Sequence, residues 1–505
     1  MNYKRQQLTG SIGYTEIIDP KFKTNTVKIK FITPLNADTA ALNSIAAGII
    51  TATNYKYKTM TDLTEKLSAL YGTGIDSSVS RCGDMQVITL SLNLIDTKFT
   101  FGHEDILTEA LEIFTSCIFK PRVLSSAPNI CVPAGVGAVR ETPGLNSPVL
   151  SSAPNICVPA GVGAVSAAPN ICVPAGVGAV SSAPNICVPA GVGAVSAAPE
   201  AAVTAGTSES SRQTLHAFDP EIFGFKKKDL IEAIDAEINN KRTYAVLQAG
   251  KHIYENEPCA VPSNGTKENA QSALSETVYG QYRELLKAAQ IEIYYVGVSE
   301  NPSVKEILTE QFGKISRDDR LYEFKTPSPL KKEVRIAGES LDVNQANIVM
   351  AFKTGADGYY QQKLFNTILG ETPFSKLFVN VREKQSLCYY CSSSFNNLKN
   401  TVAVSCGIEK SNSELVKTEI SRQIDGIKAG NFTQEEIDNS VLSIINSLKS
   451  VGDTPSSYVN WCFSNLVRGE TLTPEEEIAR YRSVTKQQII EAAEGFALDT
   501  VYLVS

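Results

Sequence analysis

The strongest constraint on what this chain can fold into is an internal repeat. Four copies of the dodecamer PNICVPAGVGAV begin at Pro128, Pro154, Pro169 and Pro184. No charged residue occurs between Thr142 and Pro199, where glycine, proline and other small residues dominate. Such a stretch buries too little apolar surface to offset the conformational entropy that it would lose on folding. We therefore expect a disordered insertion over residues 124–212, with the folded parts of the chain on either side of it.

The cysteines divide into two groups. Each repeat carries one cysteine, at Cys131, Cys157, Cys172 and Cys187, and the other seven are scattered. An odd number of scattered cysteines argues against a disulfide framework, and their apolar surroundings are typical of reduced core residues. Cys388 and Cys391 form a C-x-x-C pair. Because residues three apart on a strand point to opposite faces, we interpret this pair as packing residues and not as a metal chelate.

Composition narrows the class of protein. A chain of 505 residues is expected to form two or three domains, and its 43% hydrophobic and 20% charged residues are typical of globular proteins. A net charge of −7 argues against nucleic acid as a partner. No apolar run approaches the roughly 18 residues of a membrane helix, and the N-terminus lacks the apolar core of a secretory signal. We expect a cytoplasmic protein with neither nucleic acid nor membrane as a partner.

Both flanks of the insertion show α/β patterns. An apolar stripe predicts a helix over Glu104–Ile118, a second stripe predicts one long helix from Lys227 to about Leu247, and Ile291–Val296 is strand-like. We therefore expect that residues 1–123 and 213–322 together form one domain. The segment 323–332, rich in proline and lysine, is the expected linker to a second domain over residues 333–505.

The second domain has clear start signals for its helices. Capping boxes begin at Thr433, Thr473 and Thr485, and Pro474 suits the first position of a helix. Strands are expected at Glu333–Ile336, Ile348–Phe352 and Thr500–Val504.

The two domains also share a pattern. Leu67–Leu94 and Val381–Ile408 both run from a helix end through a Ser-rich strand into an alternating strand. The alternating strands match in phase: Ile88, Leu90, Leu92 and Leu94 correspond to Val402, Val404, Cys406 and Ile408. The simplest account is an α+β fold made of two homologous α/β domains.

At these runs the chain resembles insulinase/pitrilysin-type zinc peptidases. Phe365–Phe395, with its VREKQSLCYYCSSSF, resembles the C-terminal half of the family, and TDLTEKLSALYGTGIDSSVS with LTEALEIFTSCIFKPRV resembles the N-terminal half of degenerate bacterial partner subunits. The resemblance implies two α/β sandwich-like domains that face a substrate chamber. In the family, an H-x-x-E-H helix and a distal Glu bind zinc and activate water.

This sequence lacks the zinc motif. The comparable segment, Thr39–Thr53, has no His, Asp, Glu or Cys, and no two of the three histidines lie within five residues of each other. We expect a chain that is not an enzyme alone, has no metal site or cofactor of its own, and forms a heterodimer with a catalytic zinc peptidase homologue.

The resemblance implies one surviving site. Arg382 and Tyr389 match the spacing of an Arg–Tyr pair that grips unstructured peptide substrate in the family. An Arg binds a carbonyl or carboxylate through a planar fork, and a Tyr hydroxyl donates to an oxyanion. The alternative is a helix-end ion pair for Arg382 and a packed strand position for Tyr389.

Two interpretations of the repeats remain open. Identical short units with one cysteine each resemble the core peptides of precursors for ribosomally synthesised, modified peptides. Cys131, Cys157, Cys172 and Cys187 would then be the modification sites of a peptide-modifying enzyme, and the zinc partner would release the product. In the alternative, the chain is a plain peptidase-like binding scaffold and the repeats are an expanded flexible linker.

Overall fold

The computed structural model describes residues 2–126 and 215–505. All four repeats, including Cys131, Cys157, Cys172 and Cys187, lie outside these ranges, so the expected disorder of the insertion and the candidate modification sites stay predictions. The described residues form two large mixed β-sheets with helices packed against them, and a separate two-stranded antiparallel sheet. None of the helices in the described ranges has the length and apolarity that a bilayer-spanning segment requires.

The first sheet combines strands from both sides of the insertion. Its strands are β1 (Asn2–Thr9), β2 (Ile12–Ile18), β3 (Thr24–Pro34), β4 (Gly74–Cys82), β5 (Met85–Ile95) and β8 (Gln290–Gly297), in the order β1-β2-β8-β3-β5-β4. Strand β8 is parallel to β2 and antiparallel to β3. Every residue of β8 is buried, as expected for a central strand covered on both faces.

Eight helices of the described ranges surround the first sheet or connect it to the second. They are α1 (Ala37–Ile50), α2 (Met60–Ala69), α3 (Leu107–Phe119), α4 (Pro220–Ala236), α5 (Lys241–Ile253), α6 (Lys267–Ser272), α7 (Ser275–Ala288) and α8 (Pro302–Gly313). The single long helix predicted from Lys227 is wrong, because α4 ends in a 3₁₀ turn and α5 begins afresh. Asn240 makes the break: its side chain accepts the backbone N–H of Thr243 and caps α5.

The second sheet is built entirely after residue 334. Its strands are β9 (Arg335–Glu339), β10 (Ala346–Lys353), β11 (Cys388–Asn396), β12 (Thr401–Ile408) and β13 (Ala497–Val504), in the order β11-β12-β10-β13-β9. Its helices are α9 (Tyr359–Asn366), two π-helical segments (Thr367–Glu371 and Leu377–Lys384), α10 (Ser413–Lys428), α11 (Gln434–Lys449), α12 (Pro455–Val467), α13 (Pro474–Arg482) and α14 (Lys486–Glu494). The predicted capping boxes at Thr433, Thr473 and Thr485 are all present.

The topology confirms the duplication. Strands β2, β8, β3, β5 and β4 occupy the same sheet positions as β9, β13, β10, β12 and β11, and each set contains one parallel pair followed by antiparallel neighbours. The phase match between the alternating strands is also confirmed, since β5 and β12 take equivalent places. Each half contributes one helix to the other sheet: α5 packs on β10 and β13, and α12 packs on β3 and β8.

The insertion leaves and re-enters the fold at one point. Strands β6 (Val123–Ser126) and β7 (Leu215–Phe218) form an antiparallel pair in which Ser126 lies opposite Leu215. Just beyond the pair, the side chain of Arg122 binds the carboxylate of Asp219 at 3.1 Å. Phe218 is fully buried, with its ring 5.3 Å from that of Tyr279. Residues 127–214 thus connect two strand ends that the fold already holds side by side.

A buried lysine in the first sheet gives a testable pH dependence. Lys30 on β3 is 7% exposed, and its ammonium donates to the Thr89 hydroxyl at 3.3 Å and lies 4.8 Å from the ring centre of Phe463. Burial, and to a smaller extent the charge of Lys28, lowers the pKa of Lys30 to about 8. The ammonium form is therefore destabilised in the folded protein.

We expect Lys30→Met to stabilise the protein by about 1–3 kcal/mol at pH 7, because each unit of pKa depression corresponds to about 1.4 kcal/mol. Between pH 8 and about 10.5 the unfolded chain binds the lysine proton more tightly than the folded one, so the stability of the unsubstituted protein rises with pH there. The advantage of the Met variant should shrink over the same interval. Urea denaturation at pH 7 and pH 10 measures this difference, and exposed Lys4→Met is the control. An advantage that stays constant with pH would contradict the assignment.

Candidate peptide-holding site

Arg382 lies near the end of the π-helix Leu377–Lys384. Its side chain is 41% exposed, its guanidinium lies 4.7 Å from the ring centre of Phe378, and its Nε is 3.7 Å from a carboxylate oxygen of Glu383. The contact with the ring restricts the orientation of the guanidinium, and the partial exposure of the side chain leaves it accessible to a ligand. π-Helical turns are rare and occur often at functional sites.

Tyr389 is placed by a β-bulge. Along the β11–β12 pair, Cys388 lies opposite Ile408 and Tyr390 lies opposite Gly407, so Tyr389 is the extra residue on β11. A bulge bends its strand and re-aims the side chain that it inserts. The Tyr389 side chain is accordingly 49% exposed, and its hydroxyl donates to a carboxylate oxygen of Glu409. This hydrogen bond raises the pKa of Tyr389.

The two predicted residues line the same surface cleft, which has a volume of about 400 Å³. Glu409, Glu383 and Asn412 also line it. The sequence did not indicate these three as part of the site, because Glu409 and Asn412 follow β12 and reach the cleft only through the strand pairing. The cleft presents one Arg fork and one Tyr hydroxyl, and the hydroxyl is engaged by Glu409 in this structure. Arg382 does make an ion pair at the helix end, as in the alternative interpretation. That ion pair with Glu383 is long and half-exposed, so it accounts for the Arg382 side chain only in part.

A tight turn brings Arg382 and Tyr389 together. Ser386 has φ +52°, its N–H donates to the carbonyl of Arg382, and the N–H of Leu387 donates to the carbonyl of Val381. Each of these bonds spans one residue more than its counterpart in a Schellman helix end, because the helix that ends here is π-helical, and a left-handed residue at such an end is usually glycine. The turn reverses the chain within four residues.

We expect Ser386→Gly to keep or raise the free energy of unfolding, and Ser386→Val to lower it by about 1–3 kcal/mol, because a β-branched residue is strained at positive φ. The Val substitution should also separate Arg382 from Tyr389. Urea denaturation measures the first effect, and peptide binding measures the second. If the Gly and Val variants are equally stable, the left-handed turn is not formed as described.

The cysteines of this region require two corrections. The expectation that the scattered cysteines are reduced is wrong for Cys391 of β11 and Cys406 of β12, which the structure joins as a disulfide. The inference that Cys388 and Cys391 point to opposite faces is also wrong, because the bulge at Tyr389 returns both to the buried side. Their interpretation as packing residues of a strand is confirmed. Cys388 is a free thiol whose pKa burial raises to about 11.

Helix α1 contains the segment that corresponds to the zinc-binding helix of the resemblance. Its buried polar residue is Asn43, whose amide donates to Gln86 at 2.8 Å and accepts from Gln281 at 3.1 Å. The uncharged side-chain amides of Asn43, Gln86 and Gln281 thus contact one another beside α1. Within residues 2–126 and 215–505, no group of three His, Cys, Asp or Glu side chains is arranged to hold a metal ion.

The three histidines lie on separate elements. His103 is the last residue of a 3₁₀ turn and has φ +57°. The ring of His216 on β7 is hydrogen-bonded to the Ser125 hydroxyl, and the ring of His252 stacks on that of Tyr502.

Comparison with known proteins found one matching family model and one relative that matches along nearly the whole chain. Residues 274–443, which include Arg382 and Tyr389, match the family model described as the Peptidase M16 inactive domain. The chain is 22% identical over 503 residues to the "Probable inactive metalloprotease YmfF" of Bacillus subtilis, with 99% of this chain and 96% of that protein covered.

Solved structures share the fold. A conserved protein from Enterococcus faecalis superposes with a TM-score of 0.76 at 22% identity, covering 100% of this chain and 99% of that one. A peptidase M16 inactive domain from Pseudomonas fluorescens superposes with a TM-score of 0.67 at 13% identity, covering 100% of this chain and 98% of that one. The chain thus shares its fold with a structure described as a peptidase M16 inactive domain and is similar to a protein described as a probable inactive metalloprotease, and its own sequence has no H-x-x-E-H motif.

Proposed function

We propose that this chain is the non-catalytic, substrate-gripping subunit of a heteromeric zinc peptidase, and that its four repeats are core peptides processed by the active partner. The observation that carries the proposal is the cleft in which Arg382 and Tyr389 lie together. The segment Thr39–Thr53, which resembles the family's zinc-binding helix, has by contrast no His, Asp, Glu or Cys, and its buried Asn43 is hydrogen-bonded to the neutral amides of Gln86 and Gln281. A candidate peptide-holding pair in a chain without a zinc motif supports a division of labour between two chains in the cytoplasm.

The cleft suits an extended peptide backbone. The half-exposed guanidinium of Arg382 can donate two parallel N–H bonds to a peptide carbonyl or terminal carboxylate. The Tyr389 hydroxyl donates to Glu409 in this structure. In the proposed complex, a peptide carbonyl takes that hydrogen bond in exchange. The exchange keeps the number of hydrogen bonds constant, so it favours a ligand that also contacts Arg382.

The position of the repeats supports their role as cargo. Their attachment points, Ser126 and Leu215, are paired strand ends, so neither sheet depends on the residues between them. Each repeat carries a single cysteine, which a peptide-modifying enzyme could cross-link, and the last three copies are joined only by the small residues SAA or SSA. A thiol in every copy is prone to oxidation, which favours a chemical use for it over a plain linker.

Reconstitution with an H-x-x-E-H homologue tests this function. We expect Arg382→Ala to lower kcat/KM for cleavage of the repeats by at least tenfold, in line with about 1.5–3 kcal/mol for a hydrogen bond to a charged group. Tyr389→Phe should have a smaller effect in the same direction. The matched controls are the exposed residues Arg320→Ala and Tyr55→Phe, which lie outside the cleft. Equal rates for site and control variants would overturn the gripping role.

Mass spectrometry of the producing cells separates the cargo role from the linker alternative. We expect released fragments of PNICVPAGVGAV that carry a mass change at the cysteine. If the repeats are found only within the intact chain while the partner complex still forms, the chain is a binding scaffold and its repeats are a linker.

A further inference from the structure

A second and larger cleft lies in the part of the chain after residue 334. Its volume is about 740 Å³, within the range of about 300–1,000 Å³ that is usual for ligand sites. Its walls come from the π-helical turn Thr367–Glu371, the middle of β11, and helices α11, α12 and α13. It shares no lining residue with the cleft of Arg382 and Tyr389, so it is a separate candidate site.

The charged side chains that line this cleft neutralise one another. Lys363 donates to both carboxylate oxygens of Glu371, at 2.7 and 2.8 Å. Arg468, whose side chain is 7% exposed, binds Glu470 at 2.8 Å and Glu477 at 3.2 Å. A charged ligand would find no unpaired opposite charge among these lining residues, and burial of an unpaired charge is costly. The walls therefore favour an uncharged ligand.

The other lining groups are hydroxyls and aromatic rings. Seven serines line the cleft, among them Ser443 and Ser447 on α11. Thr372, which is 8% exposed, has a buried hydroxyl without a hydrogen-bond partner among the described residues. Tyr359 and Trp461 add apolar surface to the same walls.

We propose that this cleft binds an uncharged, small-residue peptide segment, and that the occupant is the repeat PNICVPAGVGAV of this same chain. The backbone amides of such a segment match the hydroxyls, its proline and valine side chains match the aromatic rings, and it carries no charge. This inference goes beyond the proposed function, because it requires neither a partner subunit nor release of the repeats.

Trp461 provides the test, because it lines the cleft and is the single tryptophan of the chain. The probe is the synthetic peptide PNISVPAGVGAV, and its charged counterpart is PNISVPAGDGAV. To remove competition from the chain's own repeats, the titration uses the full-length protein with an Asp at the matching valine of each copy: Val136, Val162, Val177 and Val192. We expect a saturable change in Trp461 emission with the neutral peptide and at least tenfold weaker binding of the charged one.

A pair of helix substitutions completes the test. Ser447→Phe fills the cleft from an exposed position of α11, and Thr418→Phe is its match on α10, outside the cleft; each hydroxyl bonds the carbonyl four residues earlier. We expect Ser447→Phe to weaken peptide binding at least tenfold and Thr418→Phe to leave it unchanged. The proposal is overturned if the neutral peptide produces no change in Trp461 emission, if both peptides bind alike, or if both substitutions act alike. None of these outcomes bears on cleavage by the partner, so failure here is distinguishable from failure of the proposed function.

Discussion

Lys399→Met is expected to lower the free energy of unfolding by about 3–5 kcal/mol, because it leaves two partly buried carboxylates without their cation. Lys399 is 1% exposed, and its ammonium binds Asp84 at 2.8 Å and Glu257 at 2.7 Å. Asp84 lies in the turn between β4 and β5, while Lys399 lies in the turn between β11 and β12. One lysine thus ties the equivalent hairpins of the two sheets together.

Urea denaturation of three variants measures this effect. The exposed pair of Lys314 and Glu310 supplies the control, since loss of a surface ion pair costs at most about 1 kcal/mol. The triple variant Lys399→Met, Asp84→Asn, Glu257→Gln also removes the two negative charges, so it should recover part of the free energy of unfolding that Lys399→Met loses. A Lys399→Met variant as stable as Lys314→Met would show that the network contributes nothing to the contact between the halves.

A cut anywhere in residues 127–214 is expected to leave both pieces of the chain folded and bound to each other. The reason is the first sheet: β8, from the second piece, lies between β2 and β3 of the first piece and is hydrogen-bonded to both. The buried core of that sheet also draws on residues from both pieces. Release of core peptides would therefore leave the scaffold intact, as a carrier subunit requires.

Size-exclusion chromatography after cleavage at an engineered protease site tests this expectation. Ile293→Asp, which places a charge at a fully buried position of β8, should cost at least about 4 kcal/mol and let the cut pieces separate. Ile336→Asp on β9 is the control, since that side chain is 73% exposed. Separation of the unsubstituted pieces after cutting would contradict the role given to β8.

Local signals in the sequence were sufficient for much of the fold. The capping boxes at Thr433, Thr473 and Thr485 depend on residues three positions apart, so the sequence contains the whole interaction. The matching phase of β5 and β12 revealed the duplication, since side chains alternate between the two faces of a sheet and only one face of each strand is made of large apolar residues. The absence of H-x-x-E-H was likewise readable in full from the sequence.

Features that depend on pairing over distance were not predictable. The bulge that exposes Tyr389 arises from the register between β11 and β12, which also brings Cys391 to Cys406 and Glu409 to the cleft. The apolar periodicity predicts one continuous helix through Asn240, but the side chain of Asn240 caps α5 and so starts a new helix there. Helix propensity is only a weak guide to where a helix ends. The sequence gives no sign that Lys399 differs from a surface lysine, because its partner Asp84 is 315 residues away in the chain.

The most direct test of the account is to assay the purified full-length chain for bound zinc and for hydrolysis of unstructured peptides, first alone and then with an H-x-x-E-H homologue. We predict less than stoichiometric zinc and no cleavage by the chain alone, and cleavage of its repeats when the homologue is added. Stoichiometric zinc together with peptide hydrolysis by the isolated chain would contradict the claim that this protein holds peptide for another chain's active site.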